Sequence, residues 1–355
     1  MSLKVSINGF GRIGKLVLQA IRQRKLLGNI IDVVAIVDKT VDTDYFYYRM
    51  NYDSVHKFML PKLISQQNND INCVTVDNHN IQYIEAREHP SLLPWKELCV
   101  DCVVDATGVF TKTTQLREHL IAGADKVIVT APYKNDDDVK DKITIIVGVN
   151  EKEYDNQQYN IISCASCTSN CIIPIISILR QENIGIQHGM ATSIHAYTSS
   201  QNVLDGVSKK NWRIGRCSNL NIIPTSTGFS NTISEIYPDM EDIISGISFR
   251  VPINDVSVVD FTFTSKKTIS ILEIDQIIKA ASKSTLNGIL DYTEEELVSS
   301  DLIGNSCSAI YDSKLTMNNN VSGNNKFFKV IAWYDNEWGY ANRVVDMLEL
   351  LSKEY

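Results

Sequence analysis

The order of elements along this chain predicts an α/β protein in two parts, a doubly wound parallel sheet followed by a second domain with a mostly antiparallel sheet. Three observations carry the prediction. Short apolar runs alternate with helical stretches through the first half, the pattern of a parallel sheet with crossover helices. Beyond residue 167 the strands lengthen and alternate polar with apolar, as in Val256-Ser257-Val258-Val259-Asp260-Phe261-Thr262-Phe263-Thr264, which suits an antiparallel sheet with one covered face. A chain of 355 residues with 44% hydrophobic content also exceeds the usual size of a single core, so two domains are expected. We place the first over 1–166, completed by a C-terminal helix over 338–355, and the second over 167–337.

Leu3 to Asn8 is a short strand leading into Gly9-Phe10-Gly11-Arg12-Ile13-Gly14, and Ile13, Leu16, Val17, Ala20 and Ile21 then fall on one helical face. Asp32 to Val37 is the second strand. Ser65 to Asp70 reads as a surface loop and Asp136 to Asp138 as a solvated turn. Further strands fall at Cys102 to Asp105, Lys126 to Val129, Thr144 to Val147 and Tyr159 to Ile162, with a helix over Leu116 to Ala122. A helical pattern through Ile172, Ile175, Ile176 and Leu179 opens the second domain, and two more helices are expected over Glu273 to Ser282 and Glu294 to Ser299. The chain ends in an amphipathic helix, Ala341 to Ser352, with Val344, Val345, Leu348 and Leu351 as its buried stripe.

A bare G-x-G-x-x-G is weak evidence, but here it stands between a strand and a helix, as a Rossmann dinucleotide site requires. Gly9, Gly11 and Gly14 let the backbone turn tightly and approach a pyrophosphate, which rests on the helix N-terminus. The second strand then delivers Asp38, 24 residues after Gly14, where a carboxylate accepts hydrogen bonds from ribose hydroxyls. That carboxylate repels a 2′-phosphate and no arginine directly follows it, so the expected cofactor is NAD over NADP.

The run Ser163-Cys164-Ala165-Ser166-Cys167-Thr168-Ser169-Asn170-Cys171 passes from a strand to a helix, and His195 follows Cys167 by 28 positions. A cysteine near a helix start is more often a small core hydrophobe than a nucleophile, and Cys171, one turn further on, reads as core. Cys167 gains its functional reading from position and company. Unpaired N–H groups and the helix dipole favour a thiolate there, and an imidazole would complete its activation as a thiolate–imidazolium pair able to move protons to and from a carbonyl oxygen.

The eight cysteines are dispersed, and Cys99 and Cys102 have no second pair to close a metal site, so reduced thiols in the cytoplasm are expected and no metal. No secretory leader, 18-residue apolar run or C-terminal S-K-L is seen, so no membrane or organelle address is expected. A formal charge of −8 argues against nucleic acid as the main partner.

With these motifs in order, the chain resembles phosphorylating glyceraldehyde-3-phosphate dehydrogenase along essentially its whole length, from Ile7-Asn8-Gly9-Phe10-Gly11-Arg12-Ile13-Gly14 to Trp333-Tyr334-Asp335-Asn336-Glu337-Trp338-Gly339-Tyr340. Tyr52-Asp53-Ser54-Val55-His56, Leu93-Pro94-Trp95 and Phe327-Phe328-Lys329-Val330 are similar to the branch that includes the kinetoplastid glycosomal enzymes. The resemblance implies a homotetramer that oxidises a phosphorylated aldehyde with NAD and inorganic phosphate, through a thioester on Cys167 with His195 as base. It implies cofactor contacts at Arg12, Ile13, Thr107, Gly108, Thr130, Asn336 and Tyr340, although Thr107 and Thr130 could simply terminate strands. It implies a substrate-phosphate site at Thr198, Ser200 and Arg250 and an inorganic-phosphate site at Ser166, Thr168, Thr227 and Gly228; without the motif, Arg250 would read equally well as a surface ion pair. Lys209, Lys210, Arg213 and Arg216 read as a solvated loop between subunits.

The chain departs from the family at Cys164, Ser169, Asn211, Ile214 and Cys217, none of which removes a catalytic group. Ser169, two residues past Cys167, is expected to line the nucleophile's pocket, where the usual threonine methyl would narrow it. Beside the leading reading stand an erythrose-4-phosphate paralogue with water as acyl acceptor, and a catalytically weak copy kept for binding RNA or protein.

Overall fold

The computed structural model describes residues 2–57, 60–63, 72–134, 139–208, 211–319 and 325–355. The loop expected over Ser65 to Asp70, the turn over Asp136 to Asp138, and Lys209 and Lys210 lie outside them. The chain forms two compact units, Met1–Ile145 with Glu151–Ala165 and Ala341–Tyr355, and Ile146–Asn150 with Ser166–Tyr340.

The first unit carries β1 (Leu3–Asn8), α1 (Arg12–Gln23), β2 (Ile31–Asp38), α2 (Thr43–Asn51), β3 (Cys73–Val76), β4 (His79–Glu85), β5 (Cys102–Asp105), α3 (Thr113–Ile121), β6 (Lys126–Val129), β7 (Lys142–Thr144) and β8 (Ile161–Ser163). Its sheet runs β3-β4-β2-β1-β5-β6-β8-β7, parallel throughout except where β3 meets β4. Every residue of β5 and β6 is buried, as expected of strands covered on both faces. From β1 the chain fills one side through β2 and later the other through β5, so the connections diverge at the carboxyl ends of β1 and β5. In open α/β sheets that divergence is where ligands bind.

The second unit carries α4 (Cys167–Gln181), β9 (Ile186–Ala196), β10 (Ile223–Thr225), α5 (Phe229–Ile236), β11 (Ile244–Val251), β12 (Ser257–Ser265), α6 (Ile271–Ser282), β13 (Leu290–Thr293), β14 (Ala309–Asp312), β15 (Met317–Asn319) and β16 (Phe327–Tyr334). The sheet runs β10-β11-β9-β12-β16-β14-β13, with β15 added to β16, and is antiparallel except at β9–β11 and β13–β14. Along β12 the predicted alternation holds: Val259, Phe261 and Phe263 are buried while the residues between them are partly open. Helix α4, buried from Thr168 to Leu179, packs on β12 and β16. The last helix, α7 (Trp338–Leu351), begins in this unit and ends in the first. Its buried Val344, Val345, Leu348 and Leu351 join the first unit's core, and Arg24 at the end of α1 donates to Asp346 at 2.6 Å and also to Glu349.

Two expected elements are corrected. No helix forms over Glu294 to Ser299. Thr293 Oγ1 accepts the Glu295 N–H at 3.0 Å and Asp301 Oδ2 the Val298 N–H at 2.9 Å, so side chains capture the backbone groups a helix would use, and only a short 3-10 turn follows at Ser299–Leu302. The strand expected over Thr144 to Val147 ends at Thr144, because Asn150 Oδ1 takes the Ile146 N–H at 2.8 Å and folds the chain into a turn.

Candidate active site

The three fingerprint glycines do different things. A Cβ on Gly9, whose φ is +96°, would sit 2.7 Å from the Thr107 nitrogen, so only glycine lets the turn after β1 press against the end of β5. On Gly14 it would lie 2.1 Å from the Gly9 carbonyl oxygen, so this glycine closes α1 onto the turn. On Gly11 it would meet nothing within 4 Å, and Gly11 caps α1 with no side-chain hydrogen bond. An open cradle over uncapped N–H groups fits a pyrophosphate. Asp38 ends β2, Thr107 and Gly108 follow β5, and Thr130 follows β6, so all stand at the same carboxyl edge. Thr107 is more than a strand end: its hydroxyl donates to Asp105 Oδ1 at 2.7 Å and accepts the Val109 N–H at 3.1 Å, fixing the loop that carries Gly108. Behind it Asp105 Oδ2 takes Asn8 at 2.8 Å and His119 Nε2 at 3.1 Å, while Trp95 donates to His119 Nδ1 at 3.0 Å, a fully internal chain that stiffens the edge. Arg12 is held at 2.5 Å by Asp53, and Ile13 follows it in the first turn of α1.

In the second unit Ser166 is the N-cap of α4, its Oγ accepting the Ser169 N–H at 3.1 Å, which makes Cys167 the first helical residue. Ala165 precedes it at φ +55°, a left-handed conformation unusual for alanine that turns the chain sharply into the helix. His195 sits at the end of β9, and its Nε2 lies 3.4 Å from Cys167 Sγ. His195 Nδ1 lies 2.7 Å from the Ala196 carbonyl oxygen, which anchors the ring with Nε2 turned toward the sulfur. Parallel pairing of β11 with β9 sets Arg250 opposite His195, where its Nη1 abuts His195 Nδ1 and donates to Ala196 O at 3.1 Å. Arg250 is therefore a site residue rather than a surface ion pair.

The electrostatics correct the expected thiolate–imidazolium pair. Burial, and then the charge of Arg250, push the His195 imidazole down to about 3, so it is neutral at physiological pH. Burial raises the Cys167 thiol, against which Arg250 and hydrogen bonds from Thr168 work. The cation that favours the thiolate is thus Arg250, and His195 stands beside it as a neutral proton acceptor.

Thr198 Oγ1 and Ser200 Oγ lie 2.9 Å apart just beyond β9. Gly228 caps α5 with no side-chain bond and with open space where a Cβ would be, and Ser169 Oγ reaches Thr232 Oγ1 at 3.3 Å, so the first turns of α4 and α5 lie side by side. Ser166 precedes α4, whose first turn carries Thr168, and Thr227 and Gly228 precede α5, each a helix N-terminus of the kind suited to an anion. Asn336 accepts from Ser257 Oγ at 2.7 Å through Oδ1, which leaves its NH₂ as a donor, and Tyr340 is buried in α7.

The chain matches the family models for the glyceraldehyde 3-phosphate dehydrogenase NAD binding domain over residues 3–113 and C-terminal domain over residues 166–336. The chain belongs to the glyceraldehyde 3-phosphate dehydrogenase family. It is 45% identical over 353 residues to the glyceraldehyde-3-phosphate dehydrogenase of Treponema pallidum (99% of this chain, 100% of the relative). It is 44% identical over 353 residues to the glycosomal enzyme of Crithidia fasciculata (98% and 96%), and 39% identical over 351 residues to glyceraldehyde-3-phosphate dehydrogenase 2 of Saccharomyces cerevisiae (99% and 99%). As a member of this family it is an NAD-dependent oxidoreductase acting on a phosphorylated aldehyde.

Sequence reasoning missed two residues that touch this site. Tyr334 Oη lies 3.0 Å from Thr168 Oγ1 and 2.9 Å from Ser193 Oγ, and its ring meets His195 edge-on at 5.9 Å. The period-two burial of Phe328, Val330, Ala332 and Tyr334 was the available signal, since an inward tyrosine at a strand end needs polar partners. Thr232 gave no such signal.

Among the departures from the family, Cys164 is fully buried in the first unit, its thiol pushed up to about 12 by burial, and is inert. Asn211 caps the short turn at Trp212–Gly215 through the Arg213 N–H at 3.0 Å, a turn that also carries Ile214, and the Cys217 N–H donates to Asp205 at 2.9 Å. Ser169 does not line the nucleophile's pocket. It is wholly buried between Ser166 and Thr232. Ser169→Thr therefore adds a methyl to packed interior; a change of about 1 kcal/mol, shifting Tm by roughly 2–4 °C, is expected. The alkylation rate of Cys167 should stay within about twofold, since no group at the sulfur changes. Differential scanning calorimetry beside an iodoacetamide time course checks both, and a changed alkylation rate at unchanged Tm would return Ser169 to the pocket.

Proposed function

We propose that this chain catalyses the phosphorylating oxidation of D-glyceraldehyde 3-phosphate to 1,3-bisphosphoglycerate in glycolysis. The observation that carries this reading is Cys167 at the start of α4 with His195 Nε2 3.4 Å from its sulfur and Arg250 opposite on the neighbouring strand. Cys167 Sγ adds to the aldehyde carbon as its proton passes through His195 Nε2 to the carbonyl oxygen, giving a hemithioacetal and leaving His195 neutral again. Bound NAD supplies the hydride acceptor. His195 takes the hemithioacetal hydroxyl proton as the thioester forms and then faces the oxyanion produced when inorganic phosphate attacks and Cys167 departs as thiolate. Arg250 with Thr198 and Ser200 suits the substrate phosphate, and Ser166, Thr168, Thr227 and Gly228 suit the attacking one. Asn336, with its oxygen taken by Ser257, is set to donate to the nicotinamide amide. NADH production from glyceraldehyde 3-phosphate that requires inorganic phosphate is the expected result. Phosphate-independent oxidation of erythrose 4-phosphate would instead mark the paralogue, and no turnover with either aldehyde a binding protein.

A homotetramer and a cytoplasmic location belong to the same reading. The loop after β9 presents Val203, Leu204, Val207, Trp212, Leu220 and Ile222 with 66% or more of each exposed, a density of apolar side chains that favours burial against a second copy. The eight cysteines carry thiols rather than disulfides, which suits a reducing compartment, and no helix among the described residues is long and apolar enough to cross a membrane. Light scattering at micromolar concentration should give about 160 kDa, four copies of 39.9 kDa. An active monomer of 39.9 kDa would exclude the tetramer.

A further inference from the structure

Nucleotide selectivity at the end of β2 turns on Asp38, and its carboxylate does not stand alone. Arg49, on α2, places Nη1 2.5 Å from Asp38 Oδ2. Its Nη2 donates to the Phe10 carbonyl inside the glycine turn, and its guanidinium lies 5.4 Å from the Phe10 ring centre and 5.6 Å from that of Tyr45. The arginine is thus held at the ribose end of the fingerprint, with its side chain 22% exposed and that of Asp38 16%. Asp38 Oδ2 also accepts from Tyr83 Oη at 3.2 Å, and Oδ1 accepts the Lys39 N–H at 2.7 Å. Beyond this pair the carboxyl ends of β2 and β4 border a cavity of about 650 Å³ lined in part by Lys39, Thr40, Tyr83, Glu85 and Arg87. Glu85 and Arg87 pair loosely at 3.4 Å, so the walls carry the additional positive charge of Lys39.

A lone carboxylate rejects a 2′-phosphate by repulsion, but a carboxylate already joined to a fixed guanidinium presents little net charge. Among the described residues Arg49 uses two of its five N–H groups, and a guanidinium is built to hold phosphate through two parallel N–H···O bonds. We propose that Arg49 is a specificity-determining residue that makes this ribose pocket tolerant of a 2′-phosphate, so that the chain accepts NADP alongside NAD. The proposal rests on the dinucleotide reading of the Gly9–Gly14 turn and Asp38.

Calorimetric titration with ADP-ribose and 2′-phospho-ADP-ribose tests it without relying on turnover. The unaltered protein is expected to bind the two within about tenfold of each other, whereas Arg49→Gln weakens the phosphorylated probe by about tenfold or more and ADP-ribose by less than about threefold. Arg49→Lys, which keeps the charge but loses the fork, should fall between, and it guards against misfolding of the glutamine variant. Asp38→Ala should weaken ADP-ribose while sparing the phosphorylated probe. If the unaltered protein binds ADP-ribose but rejects 2′-phospho-ADP-ribose by more than about a hundredfold, or if Arg49→Gln weakens both probes equally, the role given to Arg49 is wrong. If ADP-ribose itself does not bind the unaltered protein, the dinucleotide reading fails as well.

Discussion

Cys167→Ser is expected to lower turnover by about a thousandfold or more, roughly 4 kcal/mol of barrier, while NAD affinity stays at its original value. A serine hydroxyl at neutral pH is a far poorer nucleophile than a thiolate, and nothing else at the start of α4 replaces it. Alkylation and peptide mass spectrometry should find Cys167 modified before the other seven cysteines. Cys102 and Cys171 are fully buried, and burial pushes both thiols up and out of reach of reagent. Because Arg250 is the charge that works against burial at Cys167, Arg250→Gln should move the pH profile of alkylation by neutral iodoacetamide to higher pH. A serine variant within tenfold of normal turnover, or first labelling elsewhere, would remove Cys167 from the mechanism.

His195→Asn should cost about 10²–10⁴-fold in kcat, with the larger loss at low pH, where the thiol most needs a proton acceptor. The same substitution reports on the buried imidazole through stability. His195 titrates near 3 in the folded protein, below its ordinary value near 6.5, so between those limits the unfolded chain binds more protons than the folded one. Its contribution is therefore fully present above about pH 6.5 and declines as pH falls toward about 3. Denaturant midpoints measured across that window should fall more steeply for the unaltered protein than for His195→Asn. Parallel curves would mean that the imidazole is solvated, and the neutral acceptor assigned to the site would be lost.

The sequence by itself determined the opening strand, glycine turn and helix, much of the first unit's parallel sheet, and the two halves of the chemistry. Strand, glycine turn and helix at Leu3 to Ile21 are written in local periodicity and in the conformational freedom of Gly9, and Asp38 follows at the spacing a second parallel strand imposes. Cys167 at a helix start is equally local, since Ser166 caps the helix from one residue away. The polar run Glu294 to Glu296 misled because helix periodicity says nothing about Thr293 capturing the Glu295 N–H. Only the tertiary structure decided what depends on partners distant in the chain. Arg250 stands beside His195 through the register of β11 on β9, 55 positions apart, and Tyr334 reaches Thr168 across 166. Arg49 comes to Asp38 because α2 returns its last turn to the end of β2, and Ser169 turns inward because α5 offers Thr232. In each case burial and a specific neighbour set charge state and direction, and a neighbour contributed by another strand or helix has no trace in local spacing. This is why residue types and order were legible in the sequence, whereas the neutral His195, the Arg250 counter-charge and the Arg49–Asp38 pair were not.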